Sequence, residues 1–174
     1  MSIETIQSAI RAIPDYPKKG ILFRDITTLL QDAKLVSEVI DIISERYQNN
    51  PPTKIIGIES RGFIFGMVLA YKLGIGFVPI RKKGKLPYKT FEASYDLEYG
   101  TATVEIHTDA LTSSDKVVIV DDLLATGGTA AAAISLVEKF NAKIIGIDFV
   151  IELIALNGRA KLQRYPVNTV IAYE

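Results

Sequence analysis

The sequence predicts an α/β protein in which a central, mostly parallel sheet is flanked by helices. Three observations predict it. The short β-branched runs Lys54–Ile58, Gly76–Ile80, Val117–Val120 and Lys143–Ile151 are continuously apolar, as strands buried on both faces are. Two of the intervals, Gly62–Leu73 and Gly128–Phe140, are apolar stretches of helical length. The chain has 174 residues, 48% hydrophobic and 23% charged, enough for one domain with a sizeable core. Strands alternating with helices imply a layered sheet with helices on either side.

Taken in order, Ser2 to Ile13 reads as an amphipathic helix through Ile3, Ile6, Ala9, Ile10 and Ile13, stopped by Pro14. Pro17 to Thr28 mixes basic, aromatic and turn residues and reads as irregular. Helical periodicity resumes from Asp32 to Tyr47 and ends before Pro51-Pro52. The strands and helices named above follow. Between Arg81 and Thr112 the pattern breaks into a basic, then polar and aromatic excursion, too long for an ordinary connection and suited to a lid or binding loop. Within it, Tyr95 to Ile106 reads as a hairpin turning near Glu98-Tyr99-Gly100. No repeat or linker is visible, so residues 1–174 read as one domain with one excursion.

Composition excludes several classes of function. Twenty basic residues offset twenty acidic ones, which gives no global attraction to nucleic acid or anionic lipid, so any anion site must be local. The absence of cysteine removes disulfides, thiolate zinc sites and a cysteine nucleophile. His107 is the single histidine, which rules out histidine-rich metal sites and argues against a histidine-based triad. The first twenty residues lack the apolar core of a signal peptide, and no apolar run approaches the roughly 18 residues of a membrane span. A soluble, cytoplasmic protein with no nucleic-acid or membrane partner is the expectation.

The chemistry concentrates in VVIVDDLLATGGT, Val117 to Thr129. A buried strand delivers Asp121 and Asp122 at its carboxyl end, where open α/β sheets bind ligands. Ala125, Thr126, Gly127, Gly128 and Thr129 then turn into a helix, offering free backbone amides, the positive end of the helix dipole and two hydroxyls. This is a phosphate cradle. The two acids would repel a bare phosphate but suit a ligand that also carries hydroxyls or a divalent metal, as ribose 5-phosphate does. Gly57-Ile58-Glu59-Ser60-Arg61-Gly62 repeats the design, with strand end, tight turn and helix start, and adds a guanidinium that can grip pyrophosphate bidentately. Rival nucleotide motifs fail: Gly74-Ile75-Gly76 has no third glycine at the dinucleotide spacing, and Gly84-Lys85 lacks the rest of a P-loop.

VVIVDDLLATGGT resembles the phosphoribosyl-pyrophosphate signature of type I phosphoribosyltransferases, and the form DDLLATGGT is similar to that of adenine phosphoribosyltransferases. The resemblance continues in order through PDYPKKGILFRDIT, GIESRGFIFG, RKKGKLPYKT, ASYDLEYGTA and IELIALNGR, and so covers nearly the whole chain. It implies the type I fold, with a small N-terminal hood over residues 1–34 and a flexible catalytic loop over 81–107. It also implies conversion of adenine and phosphoribosyl pyrophosphate to AMP and pyrophosphate in purine salvage, with Mg2+ held mainly by substrate oxygens rather than by dedicated protein ligands, in a homodimer.

Site roles follow from the same resemblance. Glu59, Ser60 and Arg61 would form the pyrophosphate loop, with a cis peptide at Glu59-Ser60, and Arg81 and Lys85 would neutralise the leaving pyrophosphate. A basic residue at the start of the loop that carries Arg81 and Lys85 can reach the partner subunit's site in the resembling enzymes. Glu98 would accept or hold the adenine ring proton, with Tyr99 lying over the site and Arg61 completing the catalytic set. For the base, Phe23 would stack, the backbone of Leu22 would read the ring edge, Arg24 would engage ring nitrogens or organise Glu98, and Leu153 would supply an apolar contact. Glu59 departs from the aspartate often found before Ser-Arg, and Leu22 from valine. Tyr88, Lys89 and His107 receive no role. Another base, a donor-binding regulator without turnover and a purely structural domain remain the competing readings.

Overall fold

The computed structural model describes residues 3–96 and 100–174. The first helix, α1 (Ile3–Ala9), stops short of the helix expected to Ile13, and Arg11–Pro14 instead forms β1, antiparallel to β2 (Leu22–Asp25). The stretch expected to be irregular therefore contains a strand, and it also begins α2 (Thr27–Leu30). The reason is tertiary. Ile6 and Ile10 do enter the core, at 0% and 6% exposure. Beyond them the backbone finds its partners across the chain, with Arg11 opposite Asp25 and Pro14 opposite Leu22, and helical spacing in a short segment cannot foresee that ladder. α3 (Ala33–Glu45) begins as read, with the Asp32 side chain accepting from the amides of Lys34 and Leu35 at 2.9 and 3.3 Å.

The main sheet comprises β3 (Lys54–Ile58), β4 (Gly76–Lys82), β5 (Thr90–Asp96), β6 (Thr101–His107), β7 (Lys116–Leu124), β8 (Lys143–Leu153) and β9 (Val167–Tyr173), in the spatial order β5-β6-β4-β3-β7-β8-β9. The pairs β4–β3, β3–β7, β7–β8 and β8–β9 are parallel, and the β5–β6 hairpin adds an antiparallel edge through β6 and β4. The two strands of the expected hairpin are present and pair from Thr90–His107 to Asp96–Thr101, while Glu98 and Tyr99 of its expected turn lie outside the described residues. α4 (Gly62–Leu73) and α5 (Gly128–Glu138) connect parallel strands.

Alternation along the central strands builds two cores. Val117 and Ile119 of β7 join Ile56 and Ile58 of β3 and the alanine-rich face of α5, whereas Val118, Val120 and Ile55 pack with α1, α3 and α4 on the opposite side. The layered expectation holds. Three strands run further than read: β4 continues through Lys82, opposite Val104 of β6, β7 through Leu124 and β8 through Leu153, with Leu123 opposite Ile151 and Leu124 opposite Glu152. Asp121 and Asp122 consequently sit within the last turn of pleat rather than beyond it. The end of α3 is tied to β8 at Asp148, where Arg46 Nη1 lies 2.5 Å from the carboxylate and the Tyr47 hydroxyl donates to its other oxygen. Burial pushes the Asp148 carboxyl above its ordinary value despite both partners.

Candidate active site

Because β3 and β7 are parallel neighbours, with Gly57 opposite Val120, their carboxyl ends open side by side. The β3–α4 turn and the β7–α5 turn therefore face each other. Close approach is enforced by Gly62, where a Cβ would stand 2.7 Å from the Val120 carbonyl oxygen and 2.8 Å from Asp121 Oδ1. Between the turns lies an open cavity of about 480 Å³, lined by Glu59, Ser60, Arg61, Lys82, Tyr95, Asp121, Asp122, Leu123, Ala125 and Thr129. A recess of about 60 Å³ continues into the Ala125–Ala130 loop and shares Asp121, Leu123, Ala125 and Thr129 with it.

The recess has the construction of an anion site. Gly127 takes a left-handed φ of 76°, which turns the chain into α5 without a side-chain cap. The amide of Ala131 bonds to the Gly127 carbonyl at 3.0 Å, so the amides of Gly128, Thr129 and Ala130 belong to the open first turn. α4 likewise starts without a side-chain cap, at Arg61, and the preceding Glu59-Ser60 peptide is cis, as the resemblance implied.

The acid pair between these loops is electrostatically unsettled. Asp122 is 4% exposed, and Arg61 Nε lies 2.8 Å from its Oδ2. Burial pushes its carboxyl above the usual value, against the pull of the Arg61 guanidinium. Asp121 accepts from the Asp122 amide at 2.9 Å. Burial first, then the neighbouring Asp122 charge, drives its carboxyl well above the ordinary carboxylate range. Two carboxylates this short of compensation favour a ligand that brings hydroxyl donors or positive charge.

The remaining residues singled out from the sequence fall into place unevenly. The Glu59 carboxylate faces β4, accepting from the Lys82 amide at 2.9 Å with Arg81 Nε at 3.3 Å. Burial opposes its charge, but these donors outweigh it and hold the carboxyl below its usual value. Arg81 also donates to the Lys85 carbonyl at 3.1 Å, and neither Arg81 nor Lys85 is part of the cavity wall. Lys82 is. Beneath that basic turn, the 3%-exposed Glu105 accepts from the amides of Lys85 and Leu86 at 2.9 and 2.8 Å.

In the hood, the Phe23 ring meets Tyr16 edge-on at 5.2 Å, and the Arg61 guanidinium lies 5.8 Å from its centroid. Leu22 is 47% exposed. The guanidinium of Arg24 stacks 3.7 Å over Tyr173, and Leu153 is partly buried opposite Tyr173 in the sheet. Phe23 is thus brought within 5.8 Å of Arg61, but like Leu22, Arg24 and Leu153 it stands outside the cavity wall. Glu98 and Tyr99 lie outside the described residues.

Sequence reasoning did not single out Tyr95, Lys82 or Leu123 as wall residues. For Tyr95 the missing signal is tertiary: its ring lies 3.3 Å from where a Gly128 Cβ would be, so the bare start of α5 is also a seat for β5.

Comparison with known proteins gives consistent results. The family model for the phosphoribosyl transferase domain matches residues 25–171. A curated adenine phosphoribosyltransferase from Brachyspira hyodysenteriae is 54% identical over 168 residues, 97% of this chain and 99% of that protein. The crystal structure of adenine phosphoribosyltransferase from Thermoanaerobacter pseudethanolicus is 48% identical, with a TM-score of 0.95 over 99% of this chain and 100% of that one. The Saccharomyces cerevisiae adenine phosphoribosyltransferase, solved in complex with an imino-altritol bisphosphate and adenine, is 42% identical, with a TM-score of 0.92 over 97% of each chain.

Proposed function

The chain belongs to the phosphoribosyltransferase family, and from that premise we propose that it acts as its adenine phosphoribosyltransferase relatives do, converting adenine and phosphoribosyl pyrophosphate to AMP and pyrophosphate in purine salvage. One observation carries the reading beyond kinship. A single cavity holds two uncapped helix starts facing each other across a partly buried acid pair, which is complementary to a sugar bearing a phosphate at one end and a pyrophosphate at the other.

In this reading the 5-phosphate occupies the recess made by Ala125–Thr129, bound by the open amides of α5 and the hydroxyls of Thr126 and Thr129. Asp121 and Asp122 accept from the ribose 2′- and 3′-hydroxyls. That contact supplies the donors the two carboxylates lack, and it holds negative charge beneath the anomeric carbon as that carbon becomes cationic. Arg61 favours the ionised form of Asp122 against the effect of burial and faces the pyrophosphate with the Ser60–Gly62 amides. Glu59 serves indirectly, by holding the start of the basic turn, so that Lys82 borders the cavity and Arg81 and Lys85 add charge at its rim. Hard carboxylate oxygens suit Mg2+ carried on the donor's own oxygens. When bound, the ion neutralises charge on the leaving pyrophosphate.

The reaction is a displacement with inversion: a ring nitrogen of adenine bonds to the anomeric carbon as the carbon–oxygen bond to pyrophosphate breaks. The bonding electrons leave with pyrophosphate, and the adenine ring proton passes to, or is held by, Glu98. Phe23 supplies an aromatic face for the base beside Arg61, and with Leu22, Arg24 and Leu153 it forms the hood from positions just outside the cavity wall. The chain works as one domain, with residues 1–34 as hood and 81–107 as the catalytic loop. It is cytoplasmic; among the described residues, no helix is long and apolar enough to cross a membrane.

The homodimer is part of the proposal. α4 leaves Ile64, Met67, Val68 and Tyr71 exposed by 40 to 83%, at helical spacing from three residues beyond Arg61. An apolar stripe on the helix that carries the pyrophosphate loop suits a second copy of the chain. The deciding assay is AMP formation from adenine with phosphoribosyl pyrophosphate and magnesium, with hypoxanthine and guanine in parallel. Conversion of adenine alone supports the full reading. Turnover of another base refutes the assignment of the hood, and donor binding without turnover moves the protein to a regulator.

A further inference from the structure

Two stretches remote in the chain meet backbone to backbone beneath the phosphate loop. A Cβ on Gly127 would stand 2.5 Å from the Gly158 carbonyl oxygen, and a Cβ on Gly158 would stand 2.3 Å from the Ala125 carbonyl oxygen. Contacts that close require glycine on both sides, so the loop that opens α5 rests directly on the turn at Asn157-Gly158. Asn157 adopts a left-handed φ of 50°, which leads the chain into a 3₁₀ turn at Gly158–Lys161.

One side chain holds that turn in place. The Arg159 guanidinium donates to both carboxylate oxygens of Glu152, at 2.6 and 2.8 Å, and to the Val167 carbonyl at 2.7 Å. A longer bond reaches Thr169 Oγ1 at 3.3 Å, and that hydroxyl lies equally far from Glu152 Oε2. Glu152 is 7% exposed and lies on β8, while Val167 and Thr169 lie on β9. A bidentate pair with a largely buried carboxylate fixes orientation as well as distance. Arg159 itself is absent from the walls of the cavity and its recess.

We propose that Arg159 and Glu152 are positioning residues for the donor's 5-phosphate: the pair latches the Gly158 turn against the sheet, and that turn in turn holds the phosphate loop in its binding shape. The inference rests on the assignment of the 125–129 loop to phosphate. The loop has a left-handed glycine at its centre and no side-chain cap, so its amides converge only while the surface beneath them stays put. The pyrophosphate turn at Glu59–Arg61 stands on β3 and α4, and the side chains of Glu59 and Arg61 pair with Arg81, Lys82 and Asp122 rather than with the latch, so the effect is confined to one end of the donor.

The test compares Arg159→Met and the milder Thr169→Val with the unaltered protein. Affinities for AMP, ribose 5-phosphate and magnesium pyrophosphate are measured by calorimetry, alongside steady-state kinetics. Arg159→Met is expected to weaken AMP and ribose 5-phosphate about tenfold, equivalent to about 1.4 kcal/mol at 25 °C. Thr169→Val shifts them in the same direction by less. Pyrophosphate affinity, kcat and the KM for adenine stay within about twofold while the KM for the donor rises, a pattern that a general loss of structure does not produce. Unchanged AMP and ribose 5-phosphate affinity in both variants overturns the latch, and so does equal weakening of all three ligands. If Arg159→Met fails to fold, Thr169→Val carries the comparison. Should the unaltered protein bind pyrophosphate but neither AMP nor ribose 5-phosphate, the phosphate assignment itself has failed, a result distinct from failure of the latch.

Discussion

Replacing Gly62 by alanine sets two effects of known size against each other. Alanine gains up to about 1 kcal/mol over glycine in a helix interior, and less at the first residue of α4. Against this, the new methyl carbon would meet the Val120 carbonyl oxygen at 2.7 Å, Asp121 Oδ1 at 2.8 Å and the Asp121 Cα at 3.1 Å. Two of these three atoms are backbone in the middle of the sheet, so they cannot swing away. α4 must lift from β7, and such overpacking costs about 1–3 kcal/mol. The clash wins by about 1 kcal/mol, which lowers Tm by about 2–4 °C in a chain of this size. Activity is hit harder, because the same displacement separates the pyrophosphate turn from the acid pair that faces it. Misplacing reacting groups by about 1 Å costs about 100-fold. Gly62→Ala is therefore expected to melt a few degrees lower, to remain folded at assay temperature, and to lose about two orders of magnitude in kcat/KM for the donor. A variant that melts higher than the parent with unchanged kcat/KM would refute the close-approach argument.

Three further outcomes follow from the same geometry. Asp121 has a folded-state carboxyl raised above its unfolded value, so ionising it weakens the fold as pH rises through the raised range, and the penalty is absent in acid. Asp121→Asn should thus be more stable than the parent in urea at pH 7, with the advantage shrinking toward pH 4, while losing activity; a stability difference independent of pH contradicts it. Arg61→Met removes the only guanidinium within salt-bridge range of Asp122 among the described residues, and kcat/KM should fall about 10²–10³-fold with pyrophosphate affinity reduced; unchanged pyrophosphate inhibition would count against its role. Met67→Glu places a charge in the exposed stripe of α4, 52% exposed at that side chain, and light scattering should register half the mass of the parent assembly; an unaltered mass removes that face from the interface.

Much of this molecule was legible before any coordinates. The continuous β-branched runs could only be strands buried on two faces, and β3 and α4 begin and end where the pattern places them, because burial of a periodic apolar face is a local property of the sequence. Asp121, Asp122 and the Ala125–Thr129 loop are readable as a candidate anion site for a similar reason: a strand end followed by a glycine turn into a helix exposes amides wherever it occurs. What the sequence alone did not determine is which remote atoms meet. The β1–β2 ladder replaced the end of an expected helix because its hydrogen-bond partners lie across a turn, and short segments take the conformation their partners supply. Glu59 borders the cavity while also accepting from the Lys82 amide and Arg81, Tyr95 joins that cavity by packing on Gly128, and Arg159 holds a turn that touches a loop some thirty residues away. Local pattern determines what each segment can present, since propensity and amphipathicity act over a few residues. Only tertiary packing decides which segments share a cavity wall, because those contacts depend on sheet order and on where a side chain is small enough for two backbones to touch.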